Sequence, residues 1–332
     1  MKTHPLNTRR VALQALLACG LAATLPAHAQ SYPNRPITWV VPYAAGAATD
    51  ILTRRLAQDI GVELGQPVVV ENIPGAGTVN AAVQIARTKP DGYRVMTADS
   101  ATLALNPALS ETLPYHPQNS FTTIGMFARF PLFLVVNKNV PARNLSELID
   151  FIIKTRKSDV NYGSAGLGSP HHLAMELFQE SIGSKMVHVP YAGAGPALTD
   201  LLGGRIDLMF SSLGPIAAHL TSGSLKVIAA SGNERFPTTP DIPTLAESDV
   251  RLKGYEVYAW QGVVAPAGLP ADIRTRWTTA LQKVTGSEAV KRRFLELGIE
   301  AVTSDATKFE QYAASEAKKW SALVKSRGIK KD

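Results

Sequence analysis

Two runs of small residues, each joining an apolar strand to an amphipathic helix, are the places where this sequence can do chemistry. The first is Tyr43-Ala44-Ala45-Gly46-Ala47-Ala48-Thr49-Asp50. Small side chains let a ligand approach the main chain, and the first N–H groups of a helix lack internal partners, so such a turn suits an anion without any arginine. The same residues also read as a tight turn whose helix is capped by Asp50. The second run, Tyr162-Gly163-Ser164-Ala165-Gly166-Leu167-Gly168-Ser169, precedes a helix beginning near His171, and Ser164 and Ser169 add hydroxyl groups. One such loop is weak evidence; two at strand ends point to a ligand held in a cleft between them. Pro190 to Pro196 and Asn72 to Thr78 are further joints of this kind. Neither matches a dinucleotide fingerprint, because Asn80 stands where the third glycine is required, and there is no phosphate-loop Gly-Lys-Ser/Thr.

Catalytic readings fail in turn. His172 and Glu176 lie one helical turn apart, a spacing that suits a metal, but no further His or Cys supports them, and a helix-start histidine facing the cleft or capping is the better reading. Ser164 is not on a nucleophile elbow, since Tyr162 occupies the required glycine position. Asp241, Glu247 and Asp249 surround a proline-rich connector and read as solvated loop acids. No metal site, cofactor or acid/base pair is expected, and the sole cysteine, Cys19, falls in the leader described next.

Arg9 and Arg10, the apolar stretch Val11 to Leu25 and the small–x–small site Ala27-His28-Ala29 predict an export signal cleaved after Ala29 and a periplasmic protein. Thr8-Arg9-Arg10 partly resembles a twin-arginine signal, and Leu16-Leu17-Ala18-Cys19 a lipoprotein-processing site. Loss of Lys2, Arg9 and Arg10 lowers the formal charge from +7 to +4, too mild for a nucleic-acid partner.

The elements that must position the two loops follow from hydrophobic periodicity. Ile37 to Val41, Val68 to Val70 and Arg94 to Thr97 read as strands, alternating with helices at Thr49 to Gly61, with Ile51, Leu52, Leu56 and Ile60 inward, and at Val79 to Arg87. That order predicts a parallel sheet covered by helices. A second unit starts near Phe133, with strands at Phe133 to Val136, Val160 to Tyr162, Met186 to Val189 and Asp207 to Ser211 and helices at Ser146 to Lys157, His171 to Ile182 and Gly195 to Gly203. Leu225 to Ala230 then carries the chain back, and Val257 to Val264 and helices from Pro270, Glu288 and Lys308 complete the first unit. The expected organisation is a leader at 1–29, a first lobe from 30–130 and 229–332, and a second lobe at 131–228, with crossings near 129–135 and 226–232 forming a hinge.

At its loops the chain closely resembles the Bug family, the extracytoplasmic solute receptors of tripartite tricarboxylate transporters. The resemblance is carried in order by Val41-Pro42-Tyr43 to Asp50, Glu71-Asn72 with Pro74-Gly75-Ala76-Gly77, Asp91-Gly92-Tyr93, Asn161-Tyr162-Gly163-Ser164, His172-Leu173, His188-Val189-Pro190-Tyr191, Gly203 to Asp207, Pro243 to Glu247 and Trp260-Gln261-Gly262 with Ala265 to Gly268. It departs at Ala47, where a second glycine is often found, and at Thr78, where another glycine is common.

The resemblance implies an α/β, two-lobed periplasmic-binding-protein fold of the type II-like kind, two parallel-type sheets with flanking helices joined by a two-strand hinge. It implies a carboxylate held between Tyr43 to Asp50 and Ser164 to Ser169, with Tyr43, Ala44, Ala45, Gly46, Ala47, Thr49, Asp50, Ser100, Ser164, Ala165, Gly166, Ser169, His172, Tyr191 and Trp260 as ligand-binding candidates. Tyr43, Tyr191, Phe210 and Trp260 either wall the cleft or pack the core. The implied partners are a small organic acid (a dicarboxylate, an aromatic carboxylate or an acidic amino acid) and the transporter's membrane subunits, with the receptor a monomer. A receptor presenting its ligand to a membrane sensor, and an exported hydrolase, are the alternatives; the hydrolase lacks any nucleophile–base pair or metal set.

Overall fold

Hydrogen bonding sorts the strands of the computed structural model into two sheets, and the candidate loops lie at their ends. The structure describes residues 32–46, 48–110, 112–155 and 160–329, so the leader and its cleavage site lie outside the described residues. From Arg35 onward the chain is one contact unit that contains both sheets.

The first sheet has the order β11-β4-β10-β3-β1-β2. Its strands are β1 (Ile37–Val41), β2 (Val68–Asn72), β3 (Arg94–Asp99), β4 (Phe121–Pro131), β10 (Tyr258–Pro266) and β11 (Glu300–Ala301). β1 runs parallel to β2 and β3, whereas β10 is antiparallel to β3 and β4. The second sheet, β7-β6-β8-β5-β9, comprises β5 (Phe133–Asn137), β6 (Asn161–Ser164), β7 (Val187–Pro190), β8 (Leu208–Ser211) and β9 (Leu225–Ala230). Here β6 is parallel to β7 and β8, while β5 is antiparallel to β8 and β9. Each sheet thus adds antiparallel strands to the parallel run read from the sequence. β4 was not anticipated: Thr122, Thr123 and Gly125 interrupt its apolar pattern, and it is held as a strand by β10.

Helix α1 (Ala48–Leu64) turns Leu52, Leu56, Ile60 and Leu64 inward, a spacing of four that tracks one helical face. Ile51, expected inward, is 55% exposed, because Thr49 and Thr53 occupy the buried row beside that stripe. The other helices used below are α2 (Val79–Ala86), α3 (Leu145–Asp150), α4 (Pro170–Ile182), α5 (Ala194–Leu202), α6 (Leu213–Thr221), α7 (Ala271–Thr285), α8 (Glu288–Glu296) and α9 (Ala306–Arg327). In the first-sheet core, Trp39 donates to Thr97 Oγ1 at 2.9 Å and meets Phe127 and Trp277 edge to face, so its large apolar area is buried with its one polar group satisfied.

The first crossing is a single residue, Leu132, between β4 and β5. The return does not occur at 229. Phe236 packs edge to face on Phe133, Ala230 N–H donates to Pro243 O, and Tyr255 OH donates to Ala174 O in α4, so the segment after β9 stays with the second sheet until Val257. The crossings are laced together by Ser231. Its N–H donates to Leu132 O at 2.8 Å, its Oγ accepts from Leu132 N–H at 2.8 Å and donates to Val257 O at 2.5 Å, and its carbonyl accepts from Val257 N–H at 2.9 Å. The last turn of α9 also reaches the second lobe, where Arg327 Nε donates to Glu176 Oε2 at 2.8 Å.

Candidate ligand-binding cleft

Between the sheets lies a cleft of about 320 Å³, walled from the first sheet's side by Tyr43, Thr49, Thr78, Asp99, Ser100 and Gln261 and from the second by Ala165, Gly168, Ser169 and His171. That volume suits a small molecule. Helical starts converge on it: Thr49 in the first turn of α1, Thr78 before α2, Ser100 before and Ala101 at the start of the π-helical turn Ala101–Leu105, and Ser169 before α4. Helix N-termini carry unsatisfied N–H groups and partial positive charge, so this wall favours an anion.

Of the expected site residues, Tyr43, Thr49, Ser100, Ala165, Ser169 and Trp260 line the cleft. Ala47 lies outside the described residues, and Ala44, Ala45 and Gly46 are exposed and do not line it. Asp50 is occupied in holding its own loop: it accepts from Gly46 N–H at 2.9 Å, from Arg54 Nε at 3.1 Å and from Asn72 Nδ2 at 2.8 Å. Burial alone would raise its pKa, but those donors outweigh burial and hold it below the usual value. These contacts tie the loop to α1 and β2 and leave Asp50 outside the cleft lining.

Ser164 is fully buried beneath the second loop, where its Oγ bonds His188 Nε2 at 2.7 Å and accepts from Gly166 N–H at 3.1 Å. It and Gly166 shape the loop from behind without lining the cleft. Tyr191 turns its hydroxyl to Asp200 at 2.8 Å, and Phe210 is buried near Tyr255, so neither walls the cleft. His172 faces away as well. Its ring stacks on His188 at 4.1 Å, with the Tyr162 ring 4.8 Å from His188 and 6.3 Å from His172, and its Nδ1 accepts from Gly168 N–H at 3.1 Å. Among the described residues no cluster of three His, Cys, Asp or Glu side chains could hold a metal ion.

The neighbouring His171 lines the cleft instead, and Nδ1 of that ring has no protein partner. Pro170 at the start of α4 sets this phase, since one residue is about 100° around a helix. Asp99 and Gln261 also escaped the sequence reading. Asp99 ends a strand, which is a usable signal; Gln261 sits mid-way along antiparallel β10, where periodicity gives no signal and only its place in the Trp260-Gln261-Gly262 mark of the resemblance singles it out. The Gly75–Thr78 loop is the strained part of the wall. Ala76 and Thr78 take φ of +49° and +79°, which disfavours a β-branched residue such as threonine. Thr102 Oγ1 bonds Thr78 Oγ1 at 2.9 Å and Asn106 Nδ2 donates to Gly77 O at 2.7 Å, over-determining a conformation that costs about 1–3 kcal/mol.

Comparison with known proteins accords with this architecture. A family model described as tripartite tricarboxylate transporter family receptor matches residues 52–329. The periplasmic binding protein BugD is 34% identical and superposes with a TM-score of 0.77, covering 91% of this chain and 100% of its own. Rpa4515 of R. palustris, solved with adipate, is 32% identical with a TM-score of 0.80 over 90% of this chain and 99% of its own. MatC of Rhodopseudomonas palustris, solved with malate, is 30% identical with a TM-score of 0.75 over 88% and 100%. These are solute-binding proteins and not enzymes, and the resemblance to the Bug family read from the loops is borne out. The chain belongs to the receptors of the tripartite tricarboxylate transporter family.

Proposed function

We propose that this protein is an extracytoplasmic solute receptor that closes on a small carboxylate in the cleft and delivers it to the membrane subunits of a tripartite transporter. The observation that carries this is the convergence of helical starts from both lobes on one cleft. Binding of adipate by Rpa4515 and malate by MatC supports the ligand class. The contacts are Tyr43, Thr49, Ser100, Ala165, Ser169 and Trp260, joined by Asp99, His171 and Gln261. A ligand touching both lobes stabilises the closed state differentially, with Leu132, Ser231 and Val257 as the hinge. The receptor acts as a monomer after export and cleavage following Ala29.

Mass spectrometry of the small molecules released on denaturing the purified protein, followed by calorimetry of the identified compound on refolded protein, tests this. One carboxylic acid bound at one site and recovered unchanged is expected. Consumption of that acid, or failure to release or bind any carboxylate, would overturn the assignment. Intact-mass analysis of the exported protein should show Gln30 at its terminus; a lipidated Cys19 would refute that cleavage.

A further inference from the structure

The cleft has an uneven charge. Among its lining residues are no lysine or arginine, and its one carboxylate is Asp99. His171 stays neutral at physiological pH, because burial pushes its pKa down to about 4. Asp99 is buried, which raises its pKa from the usual carboxylate value, while the hydrogen bonds it accepts from Tyr43 and Thr102 favour its charged form; its oxygens are used differently. Oδ1 accepts from Thr102 N–H and Thr102 Oγ1, both at 2.9 Å, and so caps the following helical turn; Oδ2 takes the Tyr43 hydroxyl. Beside it Gln261 is 5% exposed, and its amide bonds Thr49 Oγ1 at 2.7 Å through one polar atom while the other has no protein partner. Turning the amide over exchanges the two atoms but leaves one of them unmatched either way.

A plain dicarboxylate would bring two more negative charges to a wall whose only charged group is already negative. The helical starts can accommodate one carboxylate: Thr78 ahead of α2 makes no side-chain capping bond of its own, and Ser169 to His171 open α4 across the cleft. Asp99 then lacks a countercharge. An ammonium group supplies that charge and three N–H donors, which an unsubstituted chain cannot.

Building on the receptor reading, we propose that the preferred ligand is a zwitterion, a small carboxylic acid bearing a protonated amine, with the amine seated against Asp99 and the carboxylate directed to the helical starts at Thr78 and Ser169–His171. Asp99 is thereby a specificity-determining residue that separates amino acids from the carbon-matched acids.

The test is calorimetry near pH 7.5 on protein stripped of ligand, with two matched sets: succinate, malate and aspartate, and butyrate, 2-hydroxybutyrate and 2-aminobutyrate. In at least one set the amino acid should bind at least about 10-fold more tightly than both partners, and Asp99→Asn should weaken it by about 10- to 150-fold, the range for a hydrogen bond to a charged group. The same substitution should weaken the amine-free acids by a smaller factor than the amino acid, or tighten them. Unsubstituted or hydroxy acids binding as well as their amino counterparts in both sets, or an unchanged amino-acid affinity in folded Asp99→Asn, would overturn the inference while leaving the receptor reading intact. A released ligand that is an acid without an amine does the same. If no acid is released and none of the six binds, both readings fall. Comparison within each set on the unsubstituted protein needs no variant, so misfolding of Asp99→Asn does not remove the test.

Discussion

Acidification from pH 7 to pH 5 should weaken the fold through His172. The ring is 3% exposed, its Nδ1 accepts from Gly168 N–H at 3.1 Å, and its proton therefore sits on Nε2, 3.9 Å from Glu176 Oε1. The groups around it are Glu176 on its own helix, His188 on β7, Tyr162 on β6 and Arg327 from α9. Burial foremost, then the adjacent His188, lowers its pKa from 6.5 to about 4, with Glu176 opposing. Between those values the unfolded chain binds a proton that the folded chain refuses, so this contribution is complete above pH 6.5 and is lost as pH falls toward 4. At about 1.4 kcal/mol per pH unit the loss by pH 5 is about 2 kcal/mol. His171 and His188 shift the same way and add to it, while Glu176, whose pKa lies below 4.5, contributes only in more acid solution. Protonating Nδ1 also sets two N–H groups against each other at Gly168, a cleft residue, so ligand affinity should fall in the same window. Urea titrations at half-unit steps between pH 7 and 5 measure the slope. His172→Asn keeps an acceptor near the Nδ1 position but cannot take the proton. It should be less stable at pH 7 through lost stacking, yet lose about 2 kcal/mol less than the parent on going to pH 5. Equal losses in both proteins would refute the reasoning.

Ser231→Ala deletes the hydroxyl between the crossings and leaves the Leu132 N–H buried without its acceptor, so urea stability should fall by about 1–3 kcal/mol; an unchanged midpoint would remove Ser231 from the hinge. Arg327→Ala strips the partner of Glu176, in a pair whose side chains are only 16% and 11% exposed, and should cost about 3 kcal/mol by the same assay. Near-parental stability would mean that the end of α9 does not tie the lobes together. Gly168→Ala places a methyl carbon 2.2 Å from Leu109 Cδ1 at a residue with φ of +73°. Since Leu109 lies on the first lobe's side of the cleft, the folded variant should scatter X-rays as a more open particle when ligand is added and bind it about tenfold more weakly; parental closure would show that Leu109 yields freely.

Periodicity made most elements legible, because burying one stripe of a helix or the length of a strand leaves a repeat that survives any tertiary context. Leu52, Leu56 and Ile60 show this for α1, and β1 and β9 appear at their expected limits. Failures occur where neighbours decide. β4 is a strand because β10 pairs with it, and 236–255 remains with the second lobe because Phe236 and Tyr255 find partners there, neither of which has a local signature.

The cleft was legible as a place and much less so as a set of side chains. Small residues drew attention to both loops, yet of the first only Tyr43 and Thr49 line the cleft while Ala44, Ala45 and Gly46 do not; the second contributes Ala165, Leu167, Gly168 and Ser169. Which atoms then face the ligand depends on competition for hydrogen bonds. Asp50, with Gly46, Arg54 and Asn72 in reach, is drawn into its own loop; Ser164, with His188 beneath it, is drawn into the core. His171 and His172 differ by one step around α4, and that step separates a ring nitrogen without a protein partner at the cleft from one satisfied by Gly168. Small residues mark where a ligand can approach, but the polar groups left over after the fold has satisfied itself determine what that ligand must offer. In this cleft those groups are one end of the Gln261 amide and Nδ1 of the neutral His171 imidazole.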